Sequence, residues 1–248
     1  MRKKIVAGNW KMNGSIELLN SLVPALAEEA KEAQAEILVC PPALFLNEAT
    51  RLAGEFLQIG AQNCHEAFSG AYTGEISASM LAEMQLTHVL VGHSERRAMY
   101  GETDALIADK TKAAIGAGLT AVLCVGETLE ERESGRTLDV VLGQVKAVVE
   151  KIALSDWAKL VIAYEPVWAI GTGKTASNDQ AQDVHKAIRE ALAVISPEHA
   201  DAMRILYGGS VKAANAAELF ACPDIDGGLV GGASLDVDEF ISICRAAS

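Results

Sequence analysis

Three ionisable side chains that could together move a proton stand at the ends of apolar runs in the sequence: Lys11, His93 and Glu165. Hydrophobic surroundings would desolvate the Glu165 carboxylate and make it a stronger base. His93 precedes Ser94, which could cap a helix, and the positive end of a helix favours a neutral imidazole. Lys11 could offset negative charge on a phosphate or on an enolate oxygen.

Each of these residues, taken singly, has a more common structural interpretation. A carboxylate at a strand end often forms a salt bridge, a lone histidine is usually a hydrogen-bonded structural residue, and an isolated lysine is usually solvated. Asn9 could donate to the same oxygens as Lys11 or simply shape the turn. The sequence has no His-x-x-x-His or carboxylate pattern typical of a metal site, and the other histidines are assigned structural roles: His65, His88, His185 and His199.

Three glycine clusters are typical of turns whose free N–H groups bind phosphate. They begin at Gly171, Gly208 and Gly231. The first ends like a nucleotide P-loop but has Trp168 in place of the leading glycine, so an ATPase is weakly indicated. Each cluster alone is more often a tight turn. The segment 166–176 around the first could be a lid or an ordinary connection between a strand and a helix.

The elements that would position these residues alternate between strand and helix. Short apolar runs predict strands at 5–9, 37–40, 58–62, 88–92, 121–125, 160–164, 204–207 and 228–230, and amphipathic stretches predict helices at 16–32, 103–116, 137–151, 179–196 and 215–220. About eight strands fit an α/β fold of the closed (β/α)8 barrel type. A doubly wound sheet is the alternative, but its Gly-x-Gly-x-x-Gly fingerprint is missing after the first strand.

A closed barrel would bring the candidate residues together. The C-terminal ends of barrel strands carry the active site, so Lys11, His93 and Glu165 would meet at one mouth. The clusters at Gly208 and Gly231 follow the seventh and eighth strands, where barrels commonly hold phosphate. This coincidence favours a phosphate-binding function for both clusters.

Composition narrows the class of protein. The 248 residues are half hydrophobic, show no linker and predict one domain over 1–248. A net charge of -12 disfavours binding to nucleic acid or to an anionic membrane surface. The five cysteines form no Cys-x-x-Cys pair, and neither a signal-peptide core nor a membrane span is found, which together predict a cytoplasmic protein.

The motifs taken together resemble the triosephosphate isomerase family. The matching stretches run in order over nearly the whole chain, at 8–14, 60–63, 91–97, 163–174, 207–210 and 229–235, and the longest reads AYEPVWAIGTGK. The resemblance implies a TIM barrel that interconverts dihydroxyacetone phosphate and D-glyceraldehyde 3-phosphate, in glycolysis and gluconeogenesis, without metal or cofactor. It also implies that Glu165 abstracts a carbon-bound proton, that neutral His93 polarises the carbonyl and shuttles protons, and that Lys11 and Asn9 stabilise the enediolate.

The same resemblance implies how the rest of the substrate is held. The backbone amides that would grip the phosphate belong to Gly171, Ser210, Gly231 and Gly232. The segment 166–176 would close over them as a lid and exclude water. Glu95 resembles the family's supporting acid near Lys11, and Cys124 a packing neighbour of Glu165. The segment 70–77 resembles the family's interdigitating loop, so Thr73 would reach the active site of the partner in a homodimer.

Two alternative functions would require a different set of residues from the one in this sequence. Another phosphosugar barrel, such as a Schiff-base aldolase, needs a lysine on a strand facing the substrate, and none of the predicted strands offers one in its apolar core. A non-catalytic protein on the same fold could lack the base and the electrophile, whereas Glu165, His93, Lys11 and Asn9 are all present.

Overall fold

The strands close into a parallel barrel. The computed structural model describes residues 2–170 and 176–247. Each strand is hydrogen-bonded to the next in chain order, and the last pairs with the first. The strands are β1 (Ile5–Asn9), β2 (Glu36–Cys40), β3 (Gln58–Ala61), β4 (His88–Val91), β5 (Thr120–Val125), β6 (Leu160–Tyr164), β7 (Arg204–Tyr207) and β8 (Gly227–Val230). The predicted (β/α)8 class is confirmed, and the strand ends differ from prediction by at most one residue.

Helices connect successive strands on the outside of the barrel. They are α1 (Ile16–Glu32), α2 (Leu46–Ala53), α3 (Ala78–Glu83), α4 (Ser94–Tyr100), α5 (Asp104–Gly116), α6 (Leu129–Glu133), α7 (Thr137–Val149), α8 (Asn178–Ile195), α9 (Pro197–Ala202), α10 (Ala213–Phe220) and α11 (Val237–Arg245). The helices predicted from the sequence did not include α2, α3, α6, α9 and α11, because periodicity is weak over so few turns, whereas the helix expected after His93 is α4. In the part of the chain that the structure describes, no helix is long and apolar enough to cross a membrane.

Side-chain oxygens determine where several helices begin. The Ser15 hydroxyl accepts the Leu18 N–H at the start of α1. Ser177 and Gln180 bond reciprocally to each other's backbone at the start of α8. These caps satisfy N–H groups that have no partner inside a helix.

The strands are buried on both faces, which divides the core into two layers. Alternate strand residues fill the barrel, including Ile5, Ala7, Leu90, Cys124 and Ala163. Their neighbours along each strand point outward and pack under the helices. Residues facing opposite sides of a closed sheet both lie in apolar surroundings, which explains why the strands read as continuous apolar runs.

A buried carboxylate joins the strands at the end of the barrel away from the candidate residues. Asp226 accepts from Arg2 Nε at 2.6 Å and from Arg189 Nη2 at 2.7 Å. It also accepts the Ile205 N–H of β7 at 2.9 Å, and its own carbonyl accepts the Ile5 N–H of β1. Because β7 and β8 share the single register pair Tyr207 and Gly228, this side chain supplies contacts where the ladder is short.

We expect Asp226→Ala to lower the free energy of unfolding by about 3 kcal/mol, since it removes the buried carboxylate to which Arg2 Nε, Arg189 Nη2 and the Ile205 N–H all donate. Chemical denaturation at fixed protein concentration measures the change. Asp201→Ala is the matched control, because Asp201 also contacts Arg2 but its side chain is 88% exposed, and its loss should cost about 0.5 kcal/mol or less. Equal effects of the two substitutions would contradict the proposed role of Asp226 at this seam.

Candidate active site

The candidate residues line one cavity at the C-terminal ends of the strands. The cavity has a volume of about 370 Å³ and its lining includes Asn9, Lys11, His93, Glu165, Ser210, Gly231 and Gly232. Asn9 ends β1, His93 follows β4, Glu165 follows β6, and the glycines follow β8. Closure of the barrel therefore brings together residues that lie far apart in the chain, from Asn9 to Gly232.

The centre of the site is a contact between the two candidate proton carriers. His93 Nε2 lies 2.9 Å from Glu165 Oε1, and the side chains are 7% and 2% exposed. The Ser94 N–H donates to the other carboxylate oxygen, Oε2, at 2.9 Å. Burial raises the pKa of Glu165, but the His93 ring and the Ser94 amide outweigh it, so the pKa lies below its usual value. The expected gain in basicity from desolvation is thus masked while these contacts persist.

The hydrogen bonds of His93 determine its tautomer. Nδ1 accepts the Glu95 N–H at 3.2 Å, so the proton of the neutral ring lies on Nε2, which faces Glu165. Burial lowers the pKa of His93, but the Glu165 carboxylate more than offsets it, and the net shift is upward. An imidazolium would turn a second N–H toward the Glu95 amide, so this contact opposes the upward shift.

The start of α4 differs from the prediction that Ser94 caps it. The N-cap residue is His93, whose ring accepts the Glu95 N–H, and Ser94 is the first residue of the helix. The prediction was wrong because imidazole can accept a hydrogen bond as a serine hydroxyl does. Because Ser94 is the first residue of the helix, its backbone N–H has no partner within α4 and donates to Glu165.

The turn after β1 holds Lys11 in a left-handed conformation. Its φ is 53°. Its N–H donates to Asn9 Oδ1 at 2.9 Å, and its carbonyl accepts from Gln62 Nε2 at 2.8 Å. Lys11 Nζ contacts Glu95 Oε1 at 2.6 Å, so the predicted supporting acid does meet the lysine. Asn9 shapes the turn through its side-chain oxygen and also lines the cavity.

Two glycines let the backbone around Glu165 pack closely. A Cβ placed on Gly126 would lie 1.7 Å from the Glu165 carbonyl oxygen, and one on Gly208 would lie 2.8 Å from Glu165 Cγ. The Glu165 N–H donates to the Val125 carbonyl at 2.7 Å. Larger residues at either glycine would push the carboxylate away from His93.

Backbone turns form the other end of the cavity. A 3₁₀ turn begins at Gly232, and the first N–H groups of such a turn have no partner inside it. Ser210 donates its hydroxyl to the Ala169 carbonyl at 3.1 Å. Gly171, the fourth predicted phosphate contact, lies outside the described residues, as does segment 171–175 of the predicted lid. Among the described residues, no group of three His, Cys, Asp or Glu side chains could hold a metal ion.

The sequence did not predict the role of a buried carboxylate, Glu127, which lies beside the start of segment 166–176. Glu127 accepts from Tyr164 Oη at 3.0 Å, from Trp168 Nε1 at 2.9 Å and from Arg132 Nη1 at 3.2 Å. The Arg132 guanidinium also lies 4.7 Å from the Trp168 ring centroid. Glu127 thereby links the end of β6 to the start of segment 166–176. The sequence did contain one indication of this role: Glu127 is an acidic residue shortly after the apolar run of β5, as Glu165 is after β6.

Cys124 and Thr73, the other two residues expected to support the site, do not line the cavity. Cys124 lies in the barrel interior, and burial together with the charge of Glu165 raises its pKa well above the usual value. Arg97, which the sequence analysis did not single out, donates to the Cys124 carbonyl at 3.0 Å and to Gly92 at 2.8 Å. Thr73 is exposed and is not brought to this cavity within the chain.

Comparison with known proteins agrees with the architecture. A family model described as triosephosphate isomerase matches residues 4–247. Relatives named triosephosphate isomerase include one from Thiobacillus denitrificans, 58% identical over 100% of both chains, and one from Alcanivorax borkumensis, 56% identical over 99% of both. A third, from Pseudomonas fluorescens, is 54% identical over 100% of this chain and 99% of its own. The chain belongs to the triosephosphate isomerase family.

Proposed function

We propose that this chain is an isomerase that interconverts dihydroxyacetone phosphate and D-glyceraldehyde 3-phosphate, a step of glycolysis and gluconeogenesis. The observation that carries the proposal is the buried contact of 2.9 Å between Glu165 and His93 at the mouth of the barrel. A buried base beside a neutral hydrogen-bond donor suits the removal of a weakly acidic proton next to a carbonyl. The names of the relatives state the same activity for those proteins.

In the proposed first step, the Glu165 carboxylate takes a proton from the carbon beside the carbonyl. The C–H electron pair becomes the double bond of an enediolate, and the carbonyl oxygen gains the negative charge. Both Glu165 oxygens have partners in the free protein, so the carboxylate must leave at least one of them, His93 or Ser94, to reach the substrate. Once released, His93 Nε2–H can donate to the substrate oxygen.

In the proposed second step, the proton returns to the neighbouring carbon. His93 moves a proton between the two substrate oxygens, while Lys11 and Asn9 stabilise the charge that develops there. Lys11 is held by Glu95 in the free protein, and a phosphorylated substrate would compete for its ammonium group. One substrate carbon is oxidised while its neighbour is reduced, so the proposed reaction needs no redox cofactor.

The proposed phosphate grip is made of backbone amides from Ser210, Gly231 and Gly232, with Gly171 as a fourth contact. Placement of the first three around the cavity of Glu165 and His93 supports this assignment. Such N–H groups bind an anion without a dedicated cation, which accords with the acidic composition of the chain. In this proposal, segment 166–176 closes over the phosphate and excludes water.

The proposed assembly is a homodimer in which Thr73 of one copy supports Asn9 and Lys11 of the other. A groove of about 660 Å³ opens beside Asn9, Lys11 and Glu95. Apolar side chains at the groove are highly exposed in the single chain, with Met12 at 96%, Met99 at 73% and Tyr100 at 69%. An exposed apolar patch of this kind is typical of a protein interface. A second copy is the occupant that the family resemblance implies.

The proposed location is the cytoplasm, with no nucleic-acid or membrane partner. The five cysteines are free thiols, four of them buried, which accords with a reducing compartment. The proposal also treats 1–248 as one barrel domain.

We expect Glu165→Asp to lower kcat at least about a hundredfold, because the shorter side chain withdraws the base by about the length of a methylene group. A coupled assay of both reaction directions with purified protein, without added metal or nucleotide, measures the change. Glu17→Asp on exposed α1 is the matched control and should keep wild-type turnover. Full activity in Glu165→Asp would contradict the assignment of the base, and absence of turnover in folded wild type would contradict the reaction.

We expect Glu165→Gln to lower the pKa of His93 relative to wild type. The carboxylate charge that raises this pKa is removed, whereas the burial that lowers it remains. Titration of ¹⁵N-labelled imidazole by NMR measures the shift. Glu95→Gln removes a weaker influence on the same ring and should cause a smaller decrease. An unchanged or higher pKa in Glu165→Gln would refute the electrostatic coupling of the pair.

A further inference from the structure

The loop after β3 contains an aromatic contact outside the catalytic cavity. The ring centroids of His65 and Tyr72 lie 4.2 Å apart, with the planes tilted by 36°. The His65 side chain is only 14% exposed, whereas Tyr72 is half exposed. Rings at this separation attract each other beyond the area that they bury. A mostly buried histidine therefore supports an exposed tyrosine that directly precedes Thr73.

The backbone fixes the His65 ring in turn. His65 Nδ1 accepts the Ala67 N–H at 2.9 Å, and the His65 N–H donates to the Ile76 carbonyl at 2.8 Å. A parallel bridge also joins His65 to Ser77. The two ends of the loop 65–77 are thus tied together at the residue that carries the stack.

The tip of the same loop is shaped around Tyr72. The Glu75 N–H donates to the Tyr72 carbonyl at 3.0 Å. Gly70 has a φ of 150°, and a Cβ on it would lie 2.7 Å from Tyr72 Cε2. At the base, Ser79 donates its hydroxyl to the Phe68 carbonyl at 3.2 Å. These contacts all join residues between 65 and 79, so they form without a second copy of the chain.

We propose that His65 is a positioning residue for the homodimer. Its stack with Tyr72 sets the conformation of loop 65–77 in the free chain, so that Thr73 is presented ready for the groove beside Lys11 of the partner. A segment ordered before association loses less conformational entropy on binding, which strengthens the complex without adding an intermolecular contact. The inference rests on the proposed homodimer. It gives His65, which the sequence had suggested to be purely structural, an effect on the affinity of the two subunits for each other.

Sedimentation velocity and loss of activity on dilution can measure the dimer dissociation constant of four proteins: wild type, His65→Ala, Tyr72→Leu and the double variant. We expect each single substitution to raise Kd about threefold to tenfold, the factor that an aromatic pair contributes. The double variant should show little further increase, because the stack is lost only once. At concentrations where the dimer is saturated, all four should turn over substrate at similar rates.

Tyr72→Phe is the matched control, because it keeps the ring and should leave Kd within about twofold of wild type. Where dilution does not separate the subunits, exchange between differently labelled dimers compares the dissociation rates in the same way. An unchanged Kd and exchange rate in His65→Ala, or effects that simply multiply in the double variant, would overturn the role of His65. A fully active wild-type monomer would instead overturn the homodimer itself.

Discussion

Closure of the parallel strands into one ring is the constraint on which the rest of the structure depends. Because every strand runs in the same direction, the residues that follow β1, β4, β6, β7 and β8 share a single rim. That geometry places a lysine, a histidine, a glutamate and two glycine-containing turns around one cavity, although these residues are far apart in the sequence. At the opposite end, Asp226 joins β1, β7 and β8 and keeps the ring closed where its ladder is short.

In the free protein, Lys11 and Glu165 at the rim both have partners within the chain. Lys11 contacts Glu95, and Glu165 contacts His93 and the Ser94 amide. Pairing lowers the cost of burying the carboxylate, but it also holds the pKa of Glu165 down. A substrate that draws Glu165 away from these partners would leave burial as the dominant influence on its pKa, and burial strengthens the base. In the proposed mechanism, substrate binding therefore turns the Glu165 carboxylate toward the substrate carbon and at the same time makes it a stronger base.

The sequence predicted the strands and the rim residues well because both depend on local signals. A run such as Leu160–Tyr164 is apolar over its whole length, and a charged residue immediately after it must lie at the rim. The cap of α4 and the role of Glu127 were not predicted, because each depends on partners far along the chain. Glu127 becomes an anchor only when Trp168 and Tyr164 reach its carboxylate. The His65 stack likewise requires the loop to fold back on itself.

The proposed mechanism depends on Glu165 carrying a carbon-bound proton between two positions of the substrate. The most direct test is conversion of dihydroxyacetone phosphate by the purified protein in D₂O, with NMR of the product. A proton held on a carboxylate can exchange with solvent, so we expect glyceraldehyde 3-phosphate with deuterium at carbon 2 in a measurable fraction of molecules. Rapid turnover with the original hydrogen retained in every molecule is the result expected for direct hydride transfer between carbons, and it would contradict an exchangeable proton on Glu165.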